Sequence, residues 1–230
     1  MINEGSLCAV ITGDLVSSSE LGYQRRGSVI SYLHSSFGSI AEQLQLNDAV
    51  LLPFDIYRGD SFQVVLTCPE RALLASVLLS IKLSLFGEET NDLAARISIG
   101  IGTIGHIPDS GNVGEADGMA FRLSGRSLDM MKERDQGLLV TTPDAVLNLM
   151  FESQCAFFDL ISGRWTDIQK EFIFEKLSGL TQEGIALKKG RSQSTVSQSL
   201  SSAGFDTVKK FLSNYEELFK HPGIFVEGDE

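Results

Sequence analysis

Apolar residues change their spacing several times along this chain, and each change marks an element. Leu7–Thr12 is a short continuous apolar run that predicts a central strand, closed by Gly13-Asp14. Across Leu21–Leu46, Val29, Ile30, Leu33, Phe37, Ile40, Ala41 and Leu44 recur at helical spacing and predict a helix. Val50–Leu66 is rich in aromatic and β-branched residues and breaks at Arg58-Gly59-Asp60, the pattern of a hairpin with Asp60 at its tip. Pro69–Phe86 predicts a second amphipathic helix, opened by proline and ended by Gly87. In Ala94–Ile104 the period falls to two, with Ile97, Ile99 and Ile101 on one face and Gly100 and Gly102 on the other. Those glycines imply a close approach, by a packed helix or by a ligand. A glycine-rich loop, Gly105–Glu115, leads to a third helix, Asp117–Arg134, and a last strand, Leu138–Thr141.

Everything after Thr141 is helical. Pro143–Gly163 and Thr166–Ser178 carry Phe151, Phe157, Phe158, Leu160, Trp165, Phe172 and Phe174, which suit a core or a subunit contact. A helical pair follows at Leu180–Leu200, then a closing amphipathic helix at Phe205–Phe219 and an acidic tail expected to fray. The order strand–helix–strand–strand–helix–strand–helix–strand predicts an α+β, ferredoxin-like sandwich with helices on one face of one sheet, followed by an all-α module. The expected boundaries are 1–142 for the α+β domain, 143–164 for a helical connector and 165–230 for the C-terminal module.

Composition narrows the class without changing this layout. With 43% hydrophobic and 21% charged residues, the chain is an ordinary globular protein. No apolar run is long enough to span a bilayer and no secretory signal opens the chain, so a cytoplasmic, membrane-free protein is expected. Cys8, Cys68 and Cys155 are scattered and read as reduced core thiols. His34, His106 and His221 have no zinc-ligand spacing with a cysteine. A net charge of −11 argues against nucleic acid binding by the whole surface. Leu180–Leu212 is different: Lys188, Lys189, Arg191, Lys209 and Lys210 face only Glu183 and Asp206, a small basic island suited to phosphate contacts or to a solvated helix face.

Candidate chemistry begins with two carboxylates. Asp14 follows the first strand and Asp60 sits at the hairpin tip, so both reach the end of one sheet, where they could share a divalent cation; Gly-Asp is also ordinary turn chemistry. Ser17 and Ser18 fall where the next helix begins, as caps or as a phosphate cradle. Arg122 and Arg126 share one helical face, with either Asp117, Asp129 or Glu133 or a phosphate between them.

These pieces together resemble the catalytic palm of class III nucleotidyl cyclases and GGDEF diguanylate cyclases over residues 5–142. In that resemblance TGDLVSS carries the first metal aspartate, Asp14, and YRGDSF the second, Asp60, with Phe62 as the family aromatic. SIGIG at Ser98–Gly102 is similar to the following strand, and the cyclase helix lines up as Gly118, Phe121, Arg122 and Arg126. The resemblance implies Mg²⁺ (or Mn²⁺) on Asp14 and Asp60, a nucleoside triphosphate, Arg126 on the developing charge, and an active site formed at a homodimer interface. Arg122 stands where cyclases have a ribose-orienting asparagine, Ile56 where adenylyl cyclases have a base-reading lysine, and the full GGDEF signature is missing. Metal and triphosphate binding is therefore better supported than cyclisation. Leu180–Leu200 resembles the helix-turn-helix of sigma-factor region four, with Ala186 the small residue, Gly190 the turn glycine and Val196 the anchor of the recognition helix. That likeness implies DNA contacts by Lys188, Lys189, Arg191, Gln193, Ser194, Thr195, Ser197 and Gln198; a helical hairpin that packs or binds protein is the alternative. A palm followed by such a motif looks like SatD-like bacterial proteins, whose hairpin RGDSFQ is similar to. The resulting expectation is a DNA-binding transcriptional regulator whose palm binds nucleotide and Mg²⁺, with an active nucleotidyl cyclase or nucleotidyltransferase as the alternative.

Overall fold

The computed structural model describes residues 6–16, 23–57, 60–86, 93–111, 113–134 and 136–225. In chain order these form β1 (Cys8–Leu15), α1 (Tyr23–Gln43), β2 (Val50–Tyr57), β3 (Ser61–Leu66), α2 (Ala72–Ser84), β4 (Ala95–Gly102), β5 (Ile104–His106), β6 (Asp117–Gly118), α3 (Met119–Arg134) and β7 (Leu138–Thr141). Five helices follow: α4 (Ala145–Ser162), α5 (Asp167–Leu177), α6 (Gln182–Lys189), α7 (Gln193–Ser202) and α8 (Phe205–Leu218). The main sheet has the order β2-β3-β1-β4-β7, with β5 and β6 as a separate small ladder that brackets the expected glycine-rich loop. Among β1–β4 each strand runs antiparallel to its neighbours in the arrangement of a ferredoxin-like fold, and β7 adds in parallel to β4 after the α3 crossover.

Helices cover both faces of this sheet, not one. Ala9 and Ile11 of β1, Phe62, Val64 and Leu66 of β3, and Ile97, Ile99 and Ile101 of β4 share a core with α1 and α2. Cys8, Val10 and Val65 face the other way, into a smaller core with Ala120 of α3. Period-two alternation sends half of each strand to each side, and β4 shows why α3 can lie on the second side. A Cβ built on Gly100 would stand 2.2 Å from the Ala120 carbonyl oxygen and 2.6 Å from the Ser124 nitrogen. The close approach inferred from Gly100 and Gly102 is thus a packed helix.

Two further expectations are revised. β1 does not end at Thr12; it runs to Leu15, because Gly13 and Asp14 pair with β3 on one side and β4 on the other. Nor is α2 amphipathic: Ala72, Leu73, Ala75, Ser76, Val77, Leu78, Leu79, Ile81 and Leu83 are buried around its whole circumference. Such a helix needs cover on every side. The C-terminal helices supply it, as Phe172 and Ile173 of α5 and Tyr215 of α8 belong to the same core as α2 and the sheet. The Tyr215 hydroxyl donates to the Pro69 carbonyl at 2.7 Å, and burial pushes that phenol well above its ordinary pKa. No helix among the described residues is long and apolar enough to cross a membrane.

Candidate functional site

Asp14 lies where β1 leaves the sheet, one of the few carboxylates in the protein that is nearly fully buried. Its neighbour Gly13 leaves room for an aromatic: a Cβ there would meet Phe62 Cζ at 2.3 Å. By alternation Asp14 points to the α3 side, opposite Ser61 of β3 and Arg96 of β4. Two cations flank it, the Lys132 Nζ at 3.2 Å from Oδ2 and an Arg96 guanidinium nitrogen at 3.6 Å from Oδ1. At 3.6 Å the arginine neutralises charge without making a hydrogen bond, and among the described residues the buried Oδ1 has no donor. Asp60 directly precedes the Asp14–Ser61 pair in register, and its carbonyl oxygen accepts from the Leu15 N–H at 3.0 Å. Both predicted metal aspartates therefore sit at the same end of the sheet.

A hard divalent cation suits two carboxylates of which one has an oxygen lacking any donor. Lys132, on the other oxygen, competes for the same carboxylate, yet its side chain is 46% exposed and has an open route away. Among the described residues no group of three or more His, Cys, Asp or Glu surrounds a common point, so a metal held here would need ligands beyond the protein, as substrate phosphates provide. Ser17 and Ser18, the expected phosphate cradle, lie outside the described residues, as do Arg58 and Gly59 of the hairpin.

The α3 arginines take a different position. Arg122 is neutralised by Asp117, its Nη1 lying 3.0 and 3.1 Å from the two carboxylate oxygens. Arg126 is exposed one turn further on. Because the start of α3 packs on Gly100 and Gly102 while Lys132 near its end reaches Asp14, the helix runs toward the aspartates. Arg126 precedes Lys132 by six residues, about 9 Å along the axis, and Arg122 lies about 15 Å back. Within one chain, the cations beside Asp14 are Lys132 and Arg96. Beneath Asp14, Gln63 Nε2 donates to Thr12 Oγ1 at 2.8 Å, and Thr12 Oγ1 to Ser124 Oγ at 3.0 Å, a buried seam that fixes α3 on the sheet.

In the C-terminal module, α6 and α7 are joined at Gly190, whose φ of 61° and ψ of 39° place it in the left-handed region. Ile185, Ala186 and Val196 are buried between them. The Ser192 side chain caps α7 and also contacts the hydroxyls of Ser194 and Thr195 at 2.8 Å each, while Gln193 donates across to Gln182 at 2.7 Å. The expected phosphate lysines are otherwise engaged: Lys188 pairs with Glu175 at 2.7 Å and Lys189 with Glu171 at 2.9 Å, both on α5. Of the eight residues expected to meet DNA, Arg191 and Gln198 are the exposed ones with no such engagement among the described residues, and Ser197 is half-buried.

No family model and no curated protein matches the chain. Solved structures similar to it are nucleotide cyclase domains. The dimeric guanylyl cyclase domain of the RhoGC fusion protein from the aquatic fungus Blastocladiella emersonii is 15% identical, with a TM-score of 0.43 over 56% of this chain and 76% of that one. The catalytic core of a rhodopsin-guanylyl cyclase with converted specificity, in complex with ATPαS, is 14% identical, with a TM-score of 0.42 over 55% of this chain and 73% of that one. The adenylyl cyclase CyaB from P. aeruginosa is 16% identical, with a TM-score of 0.38 over 56% and 74%. At these scores the likeness carries no inference about activity.

Proposed function

We propose that the α+β domain, residues 1–142, binds a nucleoside triphosphate with Mg²⁺ (or Mn²⁺) and acts in nucleotidyl cyclase or nucleotidyltransferase chemistry. The observation that carries this reading is Asp14: a buried carboxylate near the end of a central strand, one oxygen without a donor among the described residues, beside the hairpin that bears Asp60. A buried carboxylate left short of a hydrogen bond is costly in a purely structural role. Asp14 and Asp60 would hold the metal, which when bound polarises phosphate oxygens and activates the attacking hydroxyl. Lys132 would swing from Asp14 to the triphosphate, exchanging one anion for another. Arg126, about 9 Å back along α3, serves a site completed by a second copy of the chain, which makes a homodimer the working unit. The test is calorimetric titration with ATP and GTP, with and without Mg²⁺, for wild type and Asp14→Ala/Asp60→Ala, with products resolved by chromatography. Metal-dependent binding lost in the double variant supports the site, and turnover identifies an enzyme. Binding of neither nucleotide sinks the reading.

A second reading, a DNA-binding regulator, draws on the α6–Gly190–α7 turn and the polar exposed start of α7. The lysine pairs with Glu171 and Glu175 weaken it, since those charges are spent inside the module. Under this reading Arg191→Ala and Gln198→Ala each lower affinity for selected DNA tenfold or more, a loss of about 1.4 kcal/mol measured by fluorescence anisotropy. No enrichment of any sequence over bulk DNA would end it.

A further inference from the structure

A cavity of about 400 Å³ lies between α2, the β4–β7 edge of the sheet and the α4–α5 junction, on the face of the sheet opposite the Asp14 side chain. That volume falls within the range of small-molecule sites. Its wall combines a hydroxyl row on α2, Ser76 and Ser80 one turn apart, with Ile81, Phe158 and Trp165, and with the carboxylate of Asp159. Ser76 is 1% exposed, and its hydroxyl makes no hydrogen bond among the described residues, so the wall holds an unspent polar group. Asp159 is held in place by backbone: its Oδ2 accepts from the Gly137 N–H at 2.8 Å and the Leu138 N–H at 3.3 Å. Both bonds fall on one oxygen and leave Oδ1 to a ligand. Lys170 also lines the space, with its ammonium engaged by Asp167 at 3.0 Å.

A fixed carboxylate beside two aromatic rings is the combination that takes organic cations, the carboxylate by charge and the rings by their negative faces. We infer that this cavity is a binding site for a small primary amine with an apolar body, its ammonium on Asp159 and its body against Ile81, Phe158 and Trp165. The site is independent of the nucleotide reading and involves none of its residues. Trp165 is the only tryptophan of the chain, so its fluorescence reports on this wall directly. The same indole donates to the Ala203 carbonyl at 2.8 Å, so an occupant touches the residue that ties the end of α7 to the α4–α5 junction.

The test titrates the full chain at pH 7.5 with phenethylamine and, separately, with its neutral counterpart 2-phenylethanol, following Trp165 emission. Phenethylamine is expected to give a saturable change, with 2-phenylethanol at least tenfold weaker. Asp159→Asn should weaken the amine at least tenfold and bring it level with the alcohol. Ser80→Phe, a half-exposed position whose ring would fill the space, should abolish the response while the melting temperature stays near that of wild type. A linear, unsaturable change, equal affinity for amine and alcohol, or an undiminished response in Ser80→Phe would each overturn the assignment. If Asp159→Asn fails to fold, the alcohol and Ser80→Phe still decide.

Discussion

Two side chains decide what Asp14 does, and both are cations. Lys132 on one oxygen and Arg96 near the other neutralise a carboxylate that the sheet has largely removed from water. Lys132 on Oδ2 and a divalent cation compete for the same carboxylate. Lys132→Met should therefore raise affinity for Mg²⁺ several-fold in a calorimetric titration without nucleotide, while costing about 1–3 kcal/mol of stability, since a buried carboxylate loses a charged partner. An unchanged or weaker affinity would show that the lysine does not occupy the metal's place. Asp14 and Asp60 were legible in the sequence because each stands beside a glycine at the end of an apolar segment. Their partners were not. Arg96 meets Asp14 only through the β1–β4 register, and Lys132 only through the direction in which α3 crosses the sheet. Neither relation exists in a linear pattern. Asp159 gives a second residue-scale prediction. Burial pushes its carboxyl up to about 6 from 3.8, against the pull of two backbone N–H donors. The folded chain thus keeps a proton that the unfolded chain has released, and stability present below about pH 4 is lost as pH rises through about 6. Asn stays neutral throughout. Urea midpoints at pH 4.5 and 7 should show that loss reduced in Asp159→Asn by on the order of 1–2 kcal/mol, less than the full conversion of the shift because the group is partly solvated.

At the scale of elements, the small residues set which surfaces can meet. Gly100 is where α3 touches β4, and the atoms a Cβ would strike are backbone, which cannot turn aside. Gly100→Ala should cost about 3 kcal/mol, the upper end for overpacking, or displace α3 and with it Lys132. A melting temperature within a degree or two of wild type would mean that the helix rides higher on the sheet than described. Strand periods and helix spacings were enough to find α1, α3, β4 and β7 within a few residues. They could not say which face of the sheet each helix would cover, since β4 is apolar on one side and small on the other, and only packing tells a helix seat from a ligand seat. The α2 segment, expected to be amphipathic, differs for a related reason: its three serines and one lysine make no wet face, as Ser76 is buried, Ser84 bonds the Ile81 carbonyl, and the Lys82 ammonium sits 5.4 Å from the Phe174 ring centroid. Short polar side chains can be folded back onto a helix or a neighbour, so their presence does not guarantee water.

For the whole molecule, the decisive fact is that α2 is buried on every side by elements drawn from both halves of the sequence. The helices after Thr141 therefore complete a core that the sheet alone leaves open. Aromatic contacts continue it outward, from Phe151 to Tyr215 at 5.9 Å and from Tyr215 to Phe219 at 5.1 Å between ring centroids. A connector with a separate DNA-reading module would predict two unfolding steps. A shared core predicts one: Trp165 fluorescence, seated at the junction, and far-ultraviolet circular dichroism, which averages over all helices, should give coincident urea transitions. Tyr215→Phe tests the same point with a single atom. It leaves the Pro69 carbonyl without its donor and should cost about 1–3 kcal/mol while moving both signals together. If fluorescence instead shifts alone and the bulk of the helical signal stays, the C-terminal helices unfold by themselves and the continuous core does not bind the two halves into one cooperative unit. If both move together, a ligand at the junction cavity and a ligand at Asp14 act on the same folding equilibrium. Each would then stabilise the α6–α7 pair without touching it, through nothing more than its preference for the folded chain.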